Sequence, residues 1–209
     1  FNLPTPGKES AIRGRPGWLA ERFDLFEAHC LPSIAAQTAQ DFDWLIFFDD
    51  QTPEPFRERI EACRRIRPFT PVYTGHFGKG GWARLIREHV AARAPWLATS
   101  RVDNDDGLAV DYIARMRAAL AERRAEGPIA LNLDHGVVLS RGRVYADSHL
   151  SNAFMTWVEP FDDEARSALG VPHMRIDEFG EVVHLGPPAG WLQVVHGGNV
   201  SNKVRGRRV

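Results

Sequence analysis

Two strand-like stretches that each break off into aspartates constrain this chain more than any other feature. Trp44-Leu45-Ile46-Phe47-Phe48 ends in Asp49-Asp50, and Trp96 to Val102 ends in Asp103-Asn104-Asp105-Asp106. A short unbroken apolar run reads as a strand buried on both faces. Helical periodicity fills the stretches around such runs. Trp18 to Cys30 repeats Leu19, Phe23, Phe26 and Cys30 at helical spacing, and Pro32 marks a stop or kink just beyond. Thr52 predicts a cap for a helix with Pro53 in its first turn and a buried stripe of Phe56, Ile60 and Cys63. A short strand is expected over Phe69 to Thr74, a helix from Trp82 to about Arg93, and a long amphipathic helix over Leu108 to Ala125. After Gly127-Pro128 the pattern turns to strands at Ile129 to Leu133 and on both sides of Arg141-Gly142. The remainder reads as irregular, with short apolar pieces at 154–158 and 191–195. This alternation predicts an α/β fold: one Rossmann-like domain over 1–209 with a mostly parallel central sheet flanked by helices.

The bulk numbers narrow the class of partner. A formal net charge of −1 over 209 residues gives no global attraction to nucleic acid or to an acidic membrane. No apolar run approaches the roughly 20 residues needed to span a bilayer, and no signal peptide is visible, although a chain beginning at Phe1 makes that absence uninformative. Cys30 and Cys63 lie on apolar helical stripes with no metal-ligand or redox spacing, so both are expected to be buried free thiols. Free thiols suit a cytoplasmic location. The basic tail of Lys203, Arg205, Arg207 and Arg208 leaves room for peripheral contact with an inner-membrane surface or with a diphosphate, against a solvated terminus as the simpler reading.

In open α/β sheets ligands bind outside the carboxyl ends of the strands, so both acidic clusters are expected to face one crevice. Aspartates at strand ends often only cap the next helix or turn. Three carboxylates within four residues, however, repel one another unless a cation or solvent relieves them. An EF-hand is excluded, because its sixth and twelfth positions counted from Asp103 hold Leu108 and Ala114. A Walker loop is excluded too, since Lys79 is followed by Gly80. What fits is a hard cation, Mn²⁺ or Mg²⁺, shared with substrate phosphates. Asp103 and Asp105 lie two apart and can point the same way, and His196, which opens a glycine turn, is a candidate third ligand.

Several strings resemble a known family. Leu31-Pro32-Ser33-Ile34-Ala35-Ala36-Gln37-Thr38, the strand ending Asp49-Asp50-Gln51-Thr52, Gly80-Gly81-Trp82-Ala83-Arg84 and Arg101-Val102-Asp103-Asn104-Asp105-Asp106 follow one another as in A-type glycosyltransferases, the last resembling their DxD motif. Arg22-x-x-Leu25-Phe26-Glu27, Cys30-Leu31-Pro32-Ser33, Thr99 to Asp106, Ser151-Asn152-Ala153-Phe154 and Trp191 to Asn199 are similar to bacterial proteins grouped as the putative rhamnosyltransferase family. The resemblance implies a metal-dependent transfer of a sugar, rhamnose among the candidates, from a nucleoside-diphosphate donor to a hydroxyl of a glycan or other acceptor, with inversion. It implies a donor half over about 1–106 and an acceptor or closing half over about 107–209. Asp49 or Asp50 would then contact the donor's base, with Arg84 and Arg87 near its nucleotide. Asp103 and Asp105 would serve ribose and metal, and His196 would complete the metal shell. The family's usual pair of acidic residues for the catalytic base is missing, which leaves Glu159, Asp177 and Glu178 as candidates. Glu159 leads because it follows an apolar piece able to hold it rigidly. Two other classes compete: a metal-dependent phosphoester hydrolase using the same aspartates, and a non-catalytic nucleotide-sugar-binding domain.

Overall fold

The structure, a computed structural model, describes residues 1–3, 8–75, 82–90, 94–123, 126–199 and 203–209. Residues 76–81, which include Lys79-Gly80-Gly81, lie outside the described residues. After helix α1 (Lys8–Arg13), α2 (Trp18–Leu25) runs without a break into a π-helical segment, Phe26–Cys30, and on into α3 (Leu31–Ala35). At Pro32, where a stop or kink was expected, the helix does not stop; the wider π turn just before it, closed by the Leu31 N–H on the Phe26 carbonyl, is the irregularity by which the helix accommodates a residue with no N–H to give.

Strand β1 (Leu45–Phe48) pairs in parallel with β2 (Thr70–Tyr73) across α4 (Glu54–Ile66), the right order for a βαβ unit. The strand is buried on alternate residues, Ile46 and Phe48, and not evenly on both faces. Helix α5 (Trp82–His89) leads to β3 (Trp96–Ser100), and β4 (Gly107–Leu108) and α6 (Tyr112–Ala121) follow. The remaining strands are β5 (Ile129–Leu133), β6 (His135–Ser140), β7 (Arg143–Ser148), β8 (Thr156–Pro160), β9 (Glu181–Leu185), β10 (Trp191–Val195) and β11 (Arg207–Arg208). Arg141 and Gly142 both adopt positive φ at the β6–β7 turn, the signature of a type I′ hairpin. A short helix, α7 (Ser167–Gly170), and a 3₁₀ segment, His173–Glu178, connect β8 to β9.

The α/β architecture is as expected, but its sheets are mixed. The orders are β3-β8-β5-β9 and β11-β7-β6-β10-β4, beside the β1–β2 pair. β8 enters antiparallel between β3 and β5, while β5–β9 and β6–β10 are parallel. The apolar pieces at 154–158 and 191–195, in the stretch read as irregular, thus supply core strands. The main core gathers Phe23, Phe48, Ile60, Tyr112, Leu131 and Trp191 from along the chain, and both free cysteines are buried in it as expected. Among the described residues no helix is long and apolar enough to cross a membrane.

Candidate functional site

Strand β3 leads into the acidic turn 103–106, and β4 leaves that turn to pair antiparallel with β10, Leu108 opposite Trp191. The turn therefore lies where the four-stranded and five-stranded sheets meet, at the carboxyl end of β3. Two side chains hold the exit. Ser33 Oγ accepts the Leu108 N–H at 3.2 Å, and Gln37 bonds both the Ala109 carbonyl and the Ile113 N–H, at 2.7 and 3.1 Å. The serine and glutamine of the family-like string at 31–38 thus act as braces for the acidic turn.

Within the turn the four residues have different fates. Asp105 is 4% exposed, and its Oδ2 receives Arg22 Nη1 at 2.9 Å, His196 Nε2 at 2.9 Å and Asn199 Nδ2 at 3.1 Å. Arg22 also reaches Asn104 Oδ1 at 3.4 Å and the Gly198 carbonyl at 3.1 Å. One guanidinium therefore joins α2, the acidic turn and the turn after β10. Asp106 is buried and accepts the Val194 N–H at 2.7 Å. Burial first, then the neighbouring charge of Asp105, pushes its carboxyl up to about 8. Asp103 stays exposed and pairs with Arg101 at 3.4 Å. His29, on the π segment, feels the charges of Asp105 and His196, and its pKa is lowered chiefly by burial.

The second acidic cluster does approach the first. Residues Phe1 and Asn2 run between them: the Phe1 carbonyl accepts Asn104 Nδ2 at 3.5 Å, and the Asn2 side chain bridges the Asp49 N–H and Thr52 Oγ1, each at 3.0 Å. Asp49 is buried and paired with Arg13, and its Oδ1 takes the Gln51 N–H at 2.9 Å. Asp50 is exposed. Of the two aspartates, Asp50 is the more accessible carboxylate.

Other candidates fall elsewhere. Arg87 pairs with Asp163, reaches the Asp162 carbonyl and stacks on Phe161, whose N–H bonds the Pro95 carbonyl at the start of β3. It therefore sits at the opposite edge of the sheet from Asp103. Arg84 is exposed and pairs with Glu88 at 2.7 Å. These two arginines line a cleft of about 480 Å³ with Glu88 and Asp163, and neither is brought to the acidic turn. Glu159 is likewise displaced. It pairs across the sheet with Leu97, and the three residues of β3 from there to Ser100 already span about 10 Å before the acidic turn begins. Its Oε1 is occupied by the N–H groups of Arg166 and Ser167 at 2.9 and 2.6 Å, and the residue is 5% exposed. This is a carboxylate closing a loop, out of reach of a substrate at the other edge. Asp177 and Glu178 are exposed on the 3₁₀ segment, and Glu178 holds Arg175.

As a cation site the trio of Asp103, Asp105 and His196 fits in part. Among the described residues no three His, Cys, Asp or Glu side chains converge as a ready-made ligand set. His196 and Asp105 do meet, and carboxylate oxygens suit a hard ion that takes the rest of its shell from phosphates and water. Arg22 and Asn199 were visible in the sequence only as letters within family-like strings. Their partners lie 83 and 94 residues away, and no local spacing encodes such a contact.

A family model described as "Putative rhamnosyl transferase" matches residues 2–208. Among solved structures, S. aureus TarS 1–349 in complex with UDP-GlcNAc aligns with a TM-score of 0.54 at 14% identity, over 84% of this chain and 57% of that one. The same protein with UDP gives 0.53 at 13% identity, over 83% and 58%. At such identity the likeness concerns the fold, and this chain spans a little over half the length of those structures. No curated protein matches the sequence.

Proposed function

The chain belongs to the family described as putative rhamnosyl transferases, and from that premise we propose that it transfers a sugar from a nucleoside-diphosphate donor to a hydroxyl acceptor. The observation that carries this reading is the convergence on Asp105. A strand-end carboxylate, an arginine from α2 and the His196–Asn199 turn meet there, and Phe1 and Asn2 link the acidic turn to Asp49. Its fold likeness to a protein crystallised with UDP and with UDP-GlcNAc supports a nucleotide sugar as donor. Rhamnose is the sugar suggested by the family, and inversion the outcome.

Arg22 supplies fixed positive charge where a diphosphate would lie, and Asp50, with Asp49 behind it, is set to accept a hydrogen bond from a pyrimidine ring N–H. A divalent cation, Mn²⁺ or Mg²⁺, would be held by Asp105 with Asp103 and His196 and would stabilise the departing diphosphate. The chain's own part is to orient the donor and exclude water around Asp105. A phosphoester hydrolase would need a denser set of His and Asp ligands than the described residues bring together.

Calorimetric titration with uridine, thymidine and adenosine diphosphates, with and without Mn²⁺, tests the reading. Uridine or thymidine diphosphate should bind more tightly than adenosine diphosphate, chelation should weaken binding, and Asp105→Ala should abolish it in a folded protein. Equal affinity for all three removes Asp49 and Asp50 from the site, and indifference to chelation removes the cation. Diphosphate binding unaffected by Asp105→Ala would end the reading as a whole.

A further inference from the structure

Glu159 lies at the wrong end of β8, Glu178 is committed to Arg175, and Asp177 is exposed with no hydrogen bond among the described residues to aim it, so the attacking hydroxyl still needs a proton acceptor. We infer that His173 is the general base of the transfer, taking the acceptor's hydroxyl proton on its Nε2. This assignment rests on the glycosyltransferase reading above and goes beyond it.

Position comes first. Thr156 pairs with Ser100 of β3 on one side and with Leu131 of β5 on the other. The segment 151–155 that feeds β8 therefore emerges at the edge where β3 delivers the acidic turn. That segment is fixed: Asn152 Nδ2 bonds the Leu133 carbonyl at 2.8 Å, and Asn152 Oδ1 accepts the Phe154 N–H at 2.9 Å. His173 is clamped onto it from two directions. Its Nδ1 lies 2.9 Å from the Ser151 carbonyl, and the Ser151 hydroxyl donates to the His173 carbonyl.

A carbonyl can only accept, so Nδ1 carries the ring proton and the lone pair of the neutral ring is on Nε2. An imidazole with one nitrogen anchored and the other basic is the usual form of a histidine base. Arg101, Asp103 and His149 are the charged and titratable groups whose charge reaches it, and Arg175, Asp177 and Glu178 follow on its own segment. Burial, the largest cause, lowers its pKa below 6.5 and keeps it neutral near pH 7; Arg101 and His149 act in the same sense, while the Ser151 bond and Asp103 oppose them. In the transfer, Nε2 takes the hydroxyl proton as the acceptor oxygen bonds to the anomeric carbon. The bond from that carbon to the diphosphate oxygen breaks, its electron pair leaves with the nucleoside diphosphate, and the imidazolium returns its proton to solvent.

The test is release of nucleoside diphosphate from a panel of UDP-GlcNAc, UDP-glucose and dTDP-rhamnose, with water as the default acceptor, alongside calorimetric binding of the diphosphate. His173→Ala and His173→Gln should lose about 10²- to 10⁴-fold in turnover while diphosphate affinity changes little. Added imidazole should restore part of the rate to His173→Ala, and wild-type turnover should fall on the acid side through a pKa below 6.5. Undiminished turnover in either variant overturns the assignment and leaves the parent reading standing. Loss of diphosphate binding together with turnover in both variants marks a structural role and overturns it as well. A wild type that releases no diphosphate from any donor overturns the glycosyltransferase reading, and this assignment with it.

Discussion

Asp106 shows how neighbours of one type diverge once a fold surrounds them. Asp103 faces water, Asp105 is neutralised by Arg22, and Asp106, buried on the Val194 N–H, holds its proton up to about pH 8. A carboxyl raised from 3.8 in the folded state stabilises the protein fully below pH 3.8 and loses that contribution as pH rises towards 8. Wild-type Tm should therefore fall across this window, and Asp106→Asn should flatten the profile, with its advantage greatest near pH 8. Parallel profiles in a calorimetric pH series would show that Asp106 is ionised throughout. The cluster itself was legible in the sequence, because three carboxylates after an apolar run is a local pattern. The division of labour was not, since it depends on Arg22, Val194 and His196, which only tertiary contact supplies. Glu159 is the converse case: a rigid strand end was correctly anticipated, but strand direction, which decides the edge it faces, is not written in a five-residue apolar piece.

The βαβ unit of β1, α4 and β2 followed from periodicity, but the cap did not: Pro53, not Thr52, stands at the N-cap of α4, and the Thr52 hydroxyl donates to the Asp49 carbonyl instead. The mixed sheets did not, because an apolar run looks the same whether it enters parallel or antiparallel. Strand β10 is the instructive case. Trp191 stacks on Phe154 with ring centroids 5.1 Å apart and donates its indole N–H to the Leu133 carbonyl at 2.9 Å. It also covers Gly136 so closely that a Cβ there would lie 2.0 Å from the ring. Since the ring is fixed by a stack and a hydrogen bond, it cannot step aside. Gly136→Ala should cost at least the roughly 1–3 kcal/mol typical of overpacking, read as a lower urea midpoint at unchanged m. A wild-type midpoint would mean that β10 can shift against β6. Such a shift would also disturb the turn after β10 that brings His196 to Asp105.

At the scale of the molecule, the site is assembled from pieces that the chain visits at very different times: α2, the acidic turn after β3 and the turn after β10. Arg22 touches all three. Its guanidinium also lies over the Trp18 ring, 5.7 Å from the centroid. A cation above an indole alters the indole's light emission, so occupancy of the crevice is coupled to an optical signal. If a diphosphate or a metal ion draws Arg22 away from Asp105, the Trp18 contribution should change in intensity and wavelength. That contribution is isolated as the difference between wild type and Trp18→Phe across a nucleotide titration. A flat difference spectrum at saturating ligand would mean that Arg22 keeps its place over the ring. A changing one would turn the protein into its own binding sensor, able to report donor capture before any acceptor is known.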